Sequence, residues 1–253
     1  MLILLPPSEG KTERHRGFAM DLNTLSYSTL TPARRQVLQA VAEVSALPEA
    51  ANILKVSPTL AAEITRNTRL LTSPTLPCAQ LYRGVLYEAL DLRGLDPASR
   101  RRATARIVIV SAMFGALRLN DRIPPYRLSM GVNLPGVGPL ARHWRSPLTT
   151  AMETKPPRGL IIDTRSSTYA AAWSPSPGSP QAQRWVRIDV PGATHMAKHT
   201  RGLVARSLVQ SPHDPQSPSD LIPLLSGNFS VDLHPPRNLR HPWTLAVAAQ
   251  PAL

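Results

Sequence analysis

The chain alternates short apolar runs with polar punctuation. Residues 2–5, 107–110, 160–162, 185–190 and 243–247 are β-branched or leucine-rich and bounded by polar or turn residues, which predicts buried strands. Elsewhere the apolar positions recur at helical spacing: Val37, Leu38, Val41 and Val44, then Leu60, Ile64, Leu70 and Leu71. Thr31-Pro32, Ser57-Pro58 and Asp96-Pro97 each set a capping side chain before a proline, predicting a helix start. A further helix is predicted from about residue 194 through 208. Segments 174–183 (SPSPGSPQAQ) and 211–219 (SPHDPQSPS) read as surface loops, because serine and proline oppose both helix and central strand. Strands mixed with helices, without regular β-α alternation or internal repeat, predict one α+β or mixed α/β domain over 1–253, a mixed sheet with surrounding helices.

Composition narrows the class. With 253 residues, 42% hydrophobic and 18% charged, the chain is a folded protein rather than a disordered tail or fibre. Lys+Arg 29 against Asp+Glu 16 leaves a net charge of +13. Only Lys11, Lys55, Lys155 and Lys198 are lysines, so arginine carries most of it. A coding bias accounts for arginine over lysine; a polyanionic partner also accounts for the shortage of acids. Cys78 is the one cysteine, which excludes an internal disulfide and any multi-cysteine zinc site. The opening MLILLPPSEGK is too short for a signal sequence. No stretch approaches the ~20 apolar residues of a membrane span, so a cytoplasmic location without membrane partners is expected.

Four polar clusters follow or interrupt apolar elements. Ser8, Glu9 and Lys11 come directly after the first strand, where α/β sheets place ligands, although an ordinary polar turn explains them equally. Gly10-Lys11-Thr12 matches the end of a phosphate loop, but the glycine required five positions earlier is Leu5, so that motif fails. In 81–91 (LYRGVLYEALD), Arg83 and Glu88 punctuate an apolar segment with Tyr82 and Tyr87, and a packed helix is the simpler reading. The stretch 111–136 carries Arg118, Asp121, Arg122, Tyr126, Arg127 and Met130 among prolines and glycines. It reads as a long irregular anion site in which Asp121 orients one guanidinium, with a structural ion-pair network as the alternative. Finally, Asp163, Arg165 and Ser166 leave a strand, while Lys198, Arg201 and Arg206 make a basic helical face. His195 and His199 have metal-ligand spacing, yet no glutamate or third ligand completes a site, so neither metal nor cofactor is expected. Cys78 reads as an inert buried thiol.

Taken in order, MLILLPPSEGKT, YRGVLYEALD, FGALRLNDRIPPYRLSMGVNLPG, IDTRSSTYAAAW and AKHTRGLVAR resemble the YaaA family, the peroxide stress resistance proteins. The resemblance runs from Met1 to about Arg206, and PYRLSMG is its most specific piece. It implies a single-domain cytoplasmic protein with a compact mixed α/β fold and a positively charged cleft. It also implies DNA binding and a role in limiting oxidative damage and intracellular iron. A helix-hairpin-helix-like element would fall on 33–71, with its hairpin near Lys55, Val56 and Ser57, where this sequence has no glycine.

Two readings follow. In the first, Arg83, Arg118, Arg122, Arg127, Arg165, Arg201 and Arg206, with Lys198, Ser8 and Ser166, contact phosphates of duplex or branched DNA. In the second, the same cleft belongs to an enzyme acting on a small anionic substrate such as a nucleotide or nucleobase derivative. Arg127, Lys198 and Arg201 then hold phosphate or carboxylate groups, and Lys11 is a cation or proton donor beside the reacting atom. Glu9 or Asp163 is the general base, and Tyr126 orients substrate or stabilises developing charge. Net charge and the resemblance put DNA binding first.

Overall fold

A computed structural model describes residues 1–154, 156–192 and 194–249. The chain enters through β1 (Leu2–Leu5), buried along its whole length. It then leaves the sheet for a helical region. In α1 (Thr31–Ser45), Val37, Leu38, Val41 and Val44 are all buried, as their spacing predicts. α2 (Ala50–Leu54) and α3 (Ala61–Arg66) follow, joined by a turn in which Lys55 is left-handed (φ 56°) and the Ser57 hydroxyl accepts from Thr59 N–H. Next come β2 (Leu76–Pro77), α4 (Cys78–Leu81), α5 (Val85–Leu90) and α6 (Pro97–Arg106). Asp96 caps α6, accepting from the Ala98 and Ser99 N–H groups.

The chain returns to the sheet in β3 (Ile107–Ser111), and β4 (Gly115–Leu117) folds back antiparallel upon it. β5 (Arg122–Ile123) pairs with β2, and β6 (Asn133–Leu134) with β7 (Gly138–Pro139). The stretch expected to be long and irregular is thus knitted together by short strands. After α7 (Leu140–Thr154) come β8 (Ile161–Asp163), α8 (Ser167–Ala170) and α9 (Pro180–Gln183). β9 (Trp185–Asp189), α10 (Thr194–Gln210), α11 (Leu221–Leu225), β10 (Phe229–His234) and β11 (Trp243–Ala249) complete the described chain. The loop expected at 174–183 ends in α9, because Ser179 accepts from Ala182 N–H and Pro180 begins the turn.

Seven strands form one mixed sheet in the order β10-β11-β9-β8-β1-β3-β4, and with the surrounding helices they make an α+β fold. Pairings from β11 to β3 are parallel, and the two edge pairings are antiparallel. From β1 the chain moves to β3 on one side, then comes back to β8 on the other. The strand order therefore reverses between β1 and β8, and at such a reversal the carboxyl ends of parallel strands part into a crevice. Among the described residues, no helix is long and apolar enough to cross a membrane.

Candidate functional site

A cleft of about 480 Å³ opens at that reversal. Residues 6–9, directly after β1, form one part of its wall. Thr164, Ser166, Thr168 and Tyr169, directly after β8, form another. The first turn of α5 adds Leu86 and Tyr87, and α10 adds His195, Lys198 and Arg201. The two helices are locked together at Gly202, where a side chain would overlap the Leu86 carbonyl oxygen and lie 2.8 Å from Ala89 Cβ.

Beside the cleft, Glu9 is ion-paired with Arg127 at 2.7 Å, and Arg127 also reaches Glu63 on α3 at 3.4 Å. The backbone N–H and carbonyl of Arg127 are both held by the buried Asn67 amide (2.9 and 2.8 Å), which fixes where the guanidinium starts. Lys11 Nζ donates to the carbonyls of Ser8 (2.8 Å) and Glu9 (3.3 Å) and lies 4.2 Å from the Tyr126 ring centroid. Burial, reinforced by the Arg127 charge, lowers the Lys11 ammonium to about 7. A lysine poised there gives or takes a proton at neutral pH. The Tyr126 hydroxyl sits between Ser111 Oγ (2.7 Å) and Tyr82 OH (3.1 Å). Burial pushes both phenols up, so they remain neutral hydrogen-bonding groups that hold the ring under the lysine.

The remaining candidates are distributed elsewhere. Asp163 and Arg165 are buried against each other, with Arg165 Nε and Nη2 on the two carboxylate oxygens at 2.8 and 2.7 Å. Trp185 Nε1 also donates to Asp163, and Arg165 reaches the carbonyls of Tyr169 and Trp173. The pair braces the turn that carries Ser166, and the lining of the cleft includes neither residue. Arg118 donates to the carbonyls of Ala105 and Ile107, and Arg206 to those of Leu90 and Asp91. Arg122 holds Thr75 O at 3.1 Å, and Arg83 holds Thr12 Oγ1 at 2.6 Å. Asp121 accepts from Ser26 and from the Arg118 backbone N–H rather than from a guanidinium. Of the sequence candidates, then, Ser8, Glu9, Ser166, Lys198 and Arg201 share the cleft, with Lys11, Tyr126 and Arg127 adjoining it.

Sequence reasoning did not single out Glu63, or Thr164, Tyr169 and Ser129, the last of which also lines the cleft. Glu63 carries no local signal, because only the packing of α3 brings it to Arg127. Tyr169 lies inside the quoted motif, but an aromatic residue at that spacing reads as core. Among the described residues, no group of three or more His, Cys, Asp or Glu side chains is placed to hold a metal ion.

Fold and cleft together define an α+β protein with an open crevice at a strand-order reversal. Its family is plain from comparison: residues 1–233 match the family model described as peroxide stress protein YaaA, and the chain belongs to that family. The match continues past Arg206, where the sequence motifs fade. The chain is 41% identical over 256 residues to a UPF0246 protein of Streptomyces coelicolor, an alignment covering 98% of each. A UPF0246 protein of Corynebacterium efficiens is 37% identical over 238 residues, covering 90% of this chain and 92% of the relative. One from Corynebacterium glutamicum is 36% identical over 235 residues, covering 88% and 90%.

Proposed function

We propose that this protein is an enzyme of acid–base chemistry acting on a small anionic substrate, of the nucleotide or nucleobase-derivative class, bound in the cleft between β1 and β8. The observation that carries this reading is Lys11, enclosed against Tyr126 beside the Glu9–Arg127 pair and titrating at about 7. A cation held only to bind a polyanion gains nothing from being half-neutral. A proton-transfer group gains most when its pKa matches the working pH. The cleft's volume of about 480 Å³ suits a small ligand, and Tyr87 and Tyr169 in its walls give a planar ring something to stack on. Lys198 and Arg201 supply positive charge for an anionic group. The family's name attaches its members to peroxide stress, and we carry that role to this chain.

The test is a thermal-shift screen of nucleotides, nucleosides and nucleobases, followed by mass spectrometry of every ligand that stabilises the protein. Lys11→Met is expected to keep binding and abolish conversion. A screen with no stabilising ligand, or a Lys11→Met variant that converts substrate at the wild-type rate, overturns the reading.

One observation favours DNA binding as a second reading: the net charge of +13, carried on a surface where Arg14, Arg16, Arg35 and Arg69 are all exposed. Fluorescence anisotropy on duplex and four-way-junction DNA separates the two. Affinity that persists at about 200 mM salt supports DNA as the ligand, and affinity confined to low salt marks general attraction.

A further inference from the structure

We infer that the α10 wall of the cleft is a phosphate-monoester subsite, in which Lys198 and Arg201 neutralise the dianion and the Ser166 and Thr168 hydroxyls complete its hydrogen bonds. This rests on the cleft reading and names the anionic group that the substrate carries.

The Arg201 guanidinium carries an orphan donor. Arg201 is half-buried, and its Nε–H is shut off from solvent without an acceptor among the described residues. Arg165 differs, with Nε on Asp163 at 2.8 Å, whereas Arg34 bonds Phe114 O through Nε at 2.9 Å but also leaves its Nη1 buried without an acceptor among the described residues, away from this cleft. Burial, and after it the nearby Arg187 charge, lowers the Arg201 guanidinium; Asp189 and Asp163 act on it only through space, without an ion pair. Crowding two guanidiniums is costly, and an anion against the part of Arg201 that lines the cleft offsets that cost.

Charge balance then selects the kind of anion. Among the described residues, Glu9 is the only carboxylate lining the cleft, and Arg127 already neutralises it. Lys198 and Arg201 line the same cleft with no carboxylate paired to either among the described residues, leaving two positive charges uncompensated. A monocarboxylate or a phosphodiester brings one negative charge, and a dicarboxylate such as malonate spreads two over separate planar groups, whereas a phosphate monoester concentrates about 1.5 to 2 at neutral pH on three acceptor oxygens of one atom. The hydroxyls fit as well. Ser166 stands at the cap position of α8 without making a capping bond, and neither it nor Thr168 gives its hydroxyl to a protein partner among the described residues.

Isothermal titration of the full chain at constant ionic strength tests this, using inorganic phosphate, a nucleoside 5′-monophosphate, the parent nucleoside, malonate and a dinucleotide phosphodiester as probes. Phosphate and the monophosphate are expected to bind, with the nucleoside, malonate and phosphodiester weaker by about tenfold to hundredfold, the worth of one or more charge-assisted hydrogen bonds. Lys198→Gln and Arg201→Gln should each weaken the phosphate probes by about tenfold or more while leaving nucleoside affinity unchanged. Lys198 is exposed, so its variant reports on binding even where Arg201→Gln disturbs folding. Unchanged phosphate affinity in Lys198→Gln, or malonate or phosphodiester binding as tightly as phosphate, overturns the assignment. If nucleosides or carboxylates occupy the cleft and phosphate does not, the phosphate subsite falls and the cleft reading stands. If no probe and no screened ligand binds, both fall.

Discussion

Lys11 holds its proton differently in the folded and the unfolded chain, and that difference is measurable without a substrate. Unfolded, it titrates near 10.5; folded, near 7. Between those values the unfolded chain binds the extra proton, so raising the pH from about 7 towards 10.5 shifts the equilibrium towards the folded state. Urea midpoints across that window should rise more steeply for wild type than for Lys11→Met, and parallel curves would refute the shift. Asp163 makes the opposite case. Its sequence position, at the end of an apolar strand, reads equally as a cleft base or a structural acid. Nothing local reveals that the guanidinium two residues on folds back onto both of its oxygens. Removing half of a buried pair strands the other charge, so Asp163→Asn should cost about 3–5 kcal/mol in urea unfolding. An activity loss with stability intact would instead give Asp163 a chemical role.

At the scale of elements, the central strands were legible because they are covered on both faces and read as continuous apolar runs. β10 was not, since it lies at the sheet edge and alternates buried Phe229 with exposed Ser230 and Asp232. The capping side chains of Ser57 and Asp96 act as read. Thr31 does not, because Leu30 occupies the cap position of α1 and Thr31 already belongs to the helix. The candidate site was legible in pieces: each motif stood out by its polarity, but arginines that hold carbonyl oxygens look identical in sequence to arginines that line a cleft. The contact of α10 with α5 is the element-scale feature most open to test. Gly202→Ala would drive the helices apart at Leu86, at a cost of about 1–3 kcal/mol. Both helices wall the cleft, so the same variant should weaken ligand binding. Calorimetric melting and titration of one preparation measure both effects.

At the scale of the whole molecule, the charge of +13 and the cleft make separate demands. The surface charge attracts any polyanion at low ionic strength, and such attraction falls with a log–log slope of roughly −0.9 per phosphate contacted. Ligand binding in the cleft, where only a few charges take part, should change far less with salt. Titrating both ligands from low salt to about 200 mM separates the two contributions, and equal slopes would merge them into one site. The topology also bears on how the molecule comes to exist on the ribosome. β1 emerges before the other strands described, yet it lies inside the sheet, with β3 on one side and β8 on the other. Synthesis therefore exposes a strand with no neighbour in the sheet until β3 emerges and with its other edge open until β8 does, and the last wall of the cleft, α10, follows later still. Ligand capture by a nascent chain is impossible before that helix leaves the exit tunnel, and the waiting strand is the segment a chaperone would have most reason to cover.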